Sequence, residues 1–238
     1  MVTTLAKKAV VYPESDGKPM GETEIHVNEI VNLLVMLREW FRKNSRAYVA
    51  SNLFLYYQEG DPRKRVAPDI MVVLGVEKRV RRIYKLWEEG KGPDVVIEVT
   101  SRSTRWRDLQ FKKRLYQRLG VAEYYLYDPT GDYLPELLRG YHLEKSRYRL
   151  AAAAGGRWRS PRLGLDLAIE AGRLRLYDPE TGRWRLTPEE QARAQERAEA
   201  DRTRAEADRA REAQARRAAE VELQRLREEL ARLRKSPP

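Results

Sequence analysis

An α/β domain followed by one long helix is the fold class that this sequence predicts, and three observations predict it. Residues 92–129 read as a buried strand, a polar loop, an amphipathic helix and a second buried strand. After Pro129, strand-length segments alternate with glycine-containing turns. At Thr187 the composition changes abruptly, and after Pro188 no glycine or proline follows until Pro237. Residues 1–186 are therefore expected to form the globular domain and residues 187–238 a charged helical tail.

Length and composition bound the answer further. Of 238 residues, 42% are apolar and 35% charged, enough for one ordinary core with part of the chain outside it. No run approaches the ~18 apolar residues of a membrane span, and the N-terminus carries no apolar signal core, so a cytoplasmic protein is expected. With no cysteine, disulfides and thiolate metal sites are excluded. Two histidines argue against a multi-histidine zinc site, so any metal would be a hard cation on carboxylate oxygens, Mg²⁺ or Mn²⁺. The net charge of +11 is unevenly spread: the tail holds 13 basic and 12 acidic residues, leaving 34 basic and 24 acidic in the first 186. The densest basic clusters, at 63–65, 78–85, 102–107 and 112–118, point to a polyanion such as nucleic acid; a merely soluble basic surface is the other reading.

The elements follow in order. Residues 1–20 read as loosely ordered, with residues 9–12 suited to an edge strand. From 22 to 43, Ile30, Leu33, Leu34, Leu37 and Phe41 recur at helical spacing, and Asn44 supplies a stop. His26 continues that face; a single histidine there reads first as a packed, hydrogen-bonded side chain, while nearby Glu22 and Glu24 keep a site role open. Aromatic and β-branched residues at 46–58, broken at Ser51-Asn52, predict a hairpin or a bent strand pair. Residues 68–74 form an apolar strand with Asp69 at its mouth, although an isolated Pro-Asp step is also ordinary turn capping. Residues 75–91 are basic and polar, with Ile83, Leu86 and Trp87 tacking a short helix or loop onto the body. Segments near 140–150, 163–169 and 173–177 predict antiparallel hairpins. The phrase Leu-Tyr-Asp-Pro at 126–129 and again at 176–179 reads as two turns rather than a repeat.

Within residues 92–129, charge stands where packing would prefer leucine. Period-2 alternation sends Val95, Ile97 and Val99 to one face of the strand and Asp94, Val96, Glu98 and Thr100 to the other. A buried, unpartnered carboxylate costs several kcal/mol, so Glu98 needs a cation, a metal or a proton. In the helix from Trp106 to Leu119, Leu109, Phe111, Leu115, Tyr116 and Leu119 make the apolar arc. Asp108 and Lys112 project from the middle of it as an i, i+4 pair facing the sheet. A structural salt bridge explains one acid and one lysine more readily than two acids and a lysine, which favours a functional site.

In the tail, Thr187-Pro188-Glu189-Glu190 is a capping box with proline at the first helical position. Leu223, Leu226, Leu230 and Leu233 give a short 3-4-3 seam, but the same register carried backwards meets Arg202, Arg209 and Arg216. A coiled-coil arm forming a homodimer or holding another partner, and a solvated charged helix, both stay open.

With Asp69, Glu98 and Lys112 placed, the chain resembles the PD-(D/E)XK nuclease superfamily, and within it the Uma-two family of restriction-endonuclease-like proteins. The matching residues are Pro68-Asp69, Ile97-Glu98-Val99-Thr100-Ser101, Ser103-Thr104, Asp108, Lys112, Tyr116, Gly120-Val121, Glu123-Tyr124 and Asp128-Pro129. The resemblance spans roughly residues 22–180 and implies a restriction endonuclease-like core: a helix, a three-stranded meander, a crossover helix and a further strand on a central mixed sheet. It also implies Mg²⁺- or Mn²⁺-dependent hydrolysis of nucleic-acid phosphodiesters, DNA being the favoured form. Asp69, Glu98 and the Val99 carbonyl would hold metal, Lys112 would act on the attacking water, and Asp108 would position it. Thr100 departs from the superfamily pattern, which has lysine two residues after the glutamate; Lys112 from the following helix is the substitute. An acid from the first helix, Glu22 or Glu24, would complete the set. The rival expectation is an inactive nucleic-acid-binding or assembly module that keeps the fold.

Overall fold

The computed structural model describes residues 10–17 and 22–235, with side chains described as far as Leu230. Two compact units divide at Pro188 and Glu189. Unit one is built on a six-stranded mixed sheet flanked by helix and smaller sheets. Helix α1 (Glu24–Trp40) is followed by strands β1 (Ala47–Ala50), β2 (Leu55–Tyr56), β3 (Arg65–Val66), β4 (Ile70–Leu74) and β5 (Tyr84–Lys85). A single turn, α2 (Leu86–Glu89), leads to β6 (Val95–Val99). A π-helical turn (Arg107–Lys112) runs into α3 (Lys113–Arg118), and then come β7 (Glu123–Tyr127), β8 (Leu138–Glu144) and β9 (Arg147–Leu150). Strands β10 (Arg157–Ser160), β11 (Leu165–Glu170), β12 (Arg173–Asp178) and β13 (Arg183–Trp184) close the domain.

The sheet order is β1-β4-β6-β7-β8-β9. β4 pairs antiparallel with β1 and β6, giving the meander the resemblance implied, and β6 pairs parallel with β7 across the α3 crossover. Residues on opposite faces of the strands feed two cores. Val95, Ile97 and Val99 join Ile30, Leu33 and Leu37 of α1 on one side. Val96 joins Leu115 and Tyr116 of α3 and Tyr124 of β7 on the other. Glu98 lies on this second face, where alternation put it.

Several expectations are corrected. β1 and β2 are not a hairpin: β1 joins the central sheet, while β2 pairs with β3 and β5 in a small separate one. The break between them is Asn52, held at φ 50 with its N–H on the Pro68 carbonyl at 2.9 Å, which turns the chain out of the sheet. The first helix begins at Glu24 with Thr23 as its cap, so Glu22 lies outside it. Val10 to Tyr12 form no strand, and Ala9 lies outside the described residues. Tyr12 instead packs edge-on against Tyr56 at 5.1 Å and accepts the Gly60 N–H at 2.6 Å. The hairpins after Pro129 divide: β8 and β9 extend the central sheet, whereas β10 to β13 make a second, four-stranded one.

Both Leu-Tyr-Asp-Pro segments end strands. Asp128 and Asp178 are buried, and each takes backbone N–H groups of the turn that follows. The second unit is a single helix, α4 (Pro188–Lys235), about 72 Å long at 1.5 Å per residue. Its leucines Leu223, Leu226 and Leu230 are exposed. No described helix is long and apolar enough to cross a membrane.

Candidate active site

Strand register brings the two acids together. Ile70 faces Ile97, so Asp69, one residue before β4, meets Glu98. The Asp69 N–H donates to Glu98 Oε2 at 3.2 Å, and the Val99 N–H donates to Asp69 Oδ2 at 2.8 Å. The Asp69 carboxylate thus accepts a main-chain donor where the β4–β6 ladder ends. Glu98 itself is fully enclosed.

The π turn supplies the cation. Lys112 Nζ lies 2.9 Å from Glu98 Oε2 and 2.9 Å from Asp108 Oδ1. Tyr116, one turn further on, donates its hydroxyl to Glu98 Oε1 at 2.7 Å. Lys113 N–H reaches back five residues to the Asp108 carbonyl, which also accepts the Tyr124 hydroxyl at 3.0 Å. Such turns are rare and cluster at functional positions, because the extra residue re-aims side chains that an α-helix would place elsewhere. One consequence corrects the sequence reading: Phe111, assigned to the apolar arc, is 44% exposed, whereas Asp108 and Lys112 are buried. The additional residue in the turn rotates Phe111 off the packed face.

His26, read from sequence chiefly as a packing residue, is at the site. Its Nε2 lies 2.7 Å from the Val99 carbonyl and 3.5 Å from Asp69 Oδ2, while Nδ1 lies 2.9 Å from Glu22 Oε2. The one available signal was the i, i+4 spacing of Glu22 and His26; Glu24 is exposed. Tyr116 was named only through the resemblance, because a tyrosine in an apolar arc looks like packing.

The electrostatics follow from burial and charge. Burial pushes the Glu98 carboxyl up, with Lys112 opposing and Asp69 and Asp108 adding to it. Asp108 is raised for the same first reason, against the pull of Lys112. Burial alone would lower Lys112, but Glu98 and Asp108 overturn that and hold its proton firmly. Burial would likewise lower His26; Asp69, then Glu22, and the Val99 carbonyl raise it instead. A carbonyl only accepts, so Nε2 carries a hydrogen in this arrangement.

One of the four basic clusters is taken up in ion pairs. In 78–85, Arg79 and Arg81 both bind Glu89, Arg82 meets Glu14 and Lys85 meets Glu88. Arg63, Arg65 and Arg107 instead line a cleft of about 410 Å³ whose wall includes Lys112.

A divalent cation was expected on Asp69, Glu98 and Val99. Among the described residues no three histidine or acidic side chains are gathered as a ready cage. The Asp69 carboxylate, the Val99 carbonyl and His26 Nε2 nevertheless converge, with Glu98 hydrogen-bonded to Asp69. One carboxylate, one carbonyl and one imidazole are chemically suited to a hard or borderline cation, and the imidazole inclines the set toward Mn²⁺ over Mg²⁺.

A central mixed sheet with an acid–lysine pocket where β4 and β6 meet defines a restriction-endonuclease-like α/β protein. A model of the Uma2 family, described as "Putative restriction endonuclease", matches residues 14–192, well over half of the chain, and the chain belongs to that family. Among solved structures, it is similar to one described as a "putative nuclease belonging to DUF820" from Anabaena variabilis, at 17% identity and a TM-score of 0.46, covering 61% of this chain and 76% of that one. Comparison with curated proteins found no match. Family membership supports hydrolytic nuclease activity and a nucleic-acid substrate.

Proposed function

We propose that this chain is a divalent-metal-dependent endonuclease that hydrolyses phosphodiester bonds, with DNA the first substrate to test. The observation that carries the reading is the placement of Lys112: it bridges two buried acids and lines a basic cleft. Asp69 and the Val99 carbonyl, with His26 and Glu98 beside them, would hold Mn²⁺ or Mg²⁺. When bound, such a cation lowers the pKa of a water and offsets charge on the phosphate. To act as a ligand His26 would have to present Nε2 without its hydrogen, either by losing a proton or by shifting it to Nδ1, which faces Glu22. Lys112, holding its own proton, neutralises charge at the scissile phosphate and orients the water rather than abstracting from it. Asp108 meets Lys112 Nζ at 2.9 Å, with Thr104 also beside its carboxylate, and serves as a positioning residue. Arg63, Arg65 and Arg107 track phosphates without reading bases, so affinity falls with salt.

Nicking of supercoiled plasmid in Mn²⁺ or Mg²⁺ tests this directly: wild type cleaves and Glu98→Ala does not, and equal cleavage rejects the site. Titrating Mn²⁺ into the wild type and Asp69→Ala reads the metal independently of turnover. One observation favours an inactive binding module instead, namely that both Glu98 oxygens already hold protein donors. That reading predicts nucleic-acid binding in chelator with no cleavage in either cation. For the tail, the exposed Leu223, Leu226 and Leu230 favour a coiled-coil homodimer. Sedimentation of the full chain against one lacking residues 187–238 tests it, a monomeric full chain being the adverse result.

A further inference from the structure

Around the mouth of the acid–lysine pocket, basic and aromatic side chains gather. The cleft beside Lys112 is lined by Arg63, Arg65 and Arg107, with Phe54 and Asp16 also on its wall; the Arg63 guanidinium meets Asp61 at 2.9 Å. Arg65 lies over the Phe54 ring at 4.7 Å. The helical segment beside it leaves two large rings in solvent, Trp106 at 66% and Phe111 at 44% exposure. Each has an arginine over its face: Arg105 lies 5.5 Å from the Trp106 ring and Arg107 5.9 Å from that of Phe111. Arg107 therefore belongs both to the cleft and to the exposed rings. Trp106 caps the π turn and Phe111 lies within it, five residues on.

An exposed ring contributes nothing to the core, and its hydration is unfavourable. A ring paired with a guanidinium beside a basic cleft has a ready ligand in a nucleotide, whose base stacks on the ring while its phosphate meets the arginine. A base inside a duplex cannot offer its face, because its neighbours already cover it. The cleft, about 410 Å³, has room for a nucleotide or two. We infer that the pocket receives an unpaired strand: Trp106 and Phe111 stack bases beside the scissile phosphate while Arg63, Arg65 and Arg107 hold the phosphates flanking it. This rests on the nuclease reading of the Glu98 pocket and names the substrate form that reading leaves open. DNA and RNA strands share the base faces and phosphates that this surface engages, and the experiment separates them.

The test is binding by the full chain in chelator, followed by the fluorescence anisotropy of a labelled oligodeoxythymidine, its RNA counterpart and a blunt duplex of equal length. The expected result is tighter binding of a single strand than of duplex, the better of DNA and RNA fixing the sugar. Trp106→Ala and Phe111→Ala each weaken single-strand binding about tenfold and leave duplex binding nearly unchanged, while Trp106→Phe restores most of the loss. Arg63→Ala weakens both forms alike and lowers the salt slope by about one unit. Duplex bound as tightly as single strand, or ring variants that lose both equally, overturns the inference. Because no metal is present, that outcome is independent of the plasmid assay: a Glu98-dependent nuclease with no strand preference loses this inference alone, and strand binding with Glu98-independent cleavage loses the site assignment alone.

Discussion

Two carboxylates enclosed beside neighbouring strands, Glu98 in β6 and Asp128 just after β7, respond to burial in opposite ways. Both have no solvent exposure. Asp128 Oδ1 accepts from Thr130 N–H, Thr130 Oγ1 and Gly131 N–H at 3.0 to 3.1 Å, and Oδ2 accepts from Tyr133 and Leu134 N–H at 2.6 and 2.9 Å. Burial works against its charge, but those turn donors outweigh it and hold the group below the usual carboxylate range. Glu98 has three donors and also two neighbouring acids, Asp69 and Asp108, so the same burial drives it upward. A carboxylate built for structure is surrounded by neutral dipoles that cannot change; one surrounded by other ionisable groups can be reset by anything that adds or removes charge.

The comparison is broken most severely at Lys112. Lys112→Ala leaves Glu98 and Asp108 buried without their cation, at a cost of about 3–5 kcal/mol in urea unfolding, and lowers plasmid cleavage by about 10²–10³-fold. Lys112→Met combined with Glu98→Gln and Asp108→Asn recovers most of the stability and none of the cleavage; recovered cleavage would remove the lysine from the mechanism. Asp128→Ala strands several turn donors and costs about 1–3 kcal/mol, yet cleavage per folded molecule stays at the wild-type level.

Acidity sharpens the contrast because the two groups have opposite signs. Asp128 is lowered from 3.8, so its contribution is present above that value and is lost as pH falls through the folded pKa. Glu98 is raised from 4.5, so its contribution is present below that value and is lost as pH rises through the folded pKa. Urea unfolding across the acid and neutral range should show Asp128→Asn converging on wild type at the acid end. Glu98→Gln should instead gain on wild type as the pH climbs above 4.5. Parallel curves would erase the distinction. The smallest effect is expected at Asp178, where Thr181 and turn N–H groups repeat the device after β12: Asp178→Asn costs about 1 kcal/mol with cleavage unchanged.

Legibility in the sequence followed the range of the interactions. Glu98 was visible because strand alternation is local, and Asp108 and Lys112 because two charges in an apolar arc violate a period that packing enforces. The meander and the crossover were legible through the resemblance. What joins Asp69 to Glu98 is a register between strands distant in the chain, which no local pattern encodes. His26 was ambiguous because one imidazole on a buried face has the same pattern whether it packs or binds. The separation of β1 from β2 depended on a left-handed Asn52, and the two-residue strands β2, β3, β5 and β13 are too short for any period to register. The π turn was missed for a related reason, since 100° steps assume the helix that the structure interrupts.

That interruption has an evolutionary corollary. The segment from Arg107 to Lys112 contains one residue more than an α-helical path requires, so excising Gln110 would let the helix close into regular pitch while turning the lysine away from its acids. A single codon lost there would part the lysine from its acids and spare the scaffold, so chain length, more than residue identity, holds the pocket together.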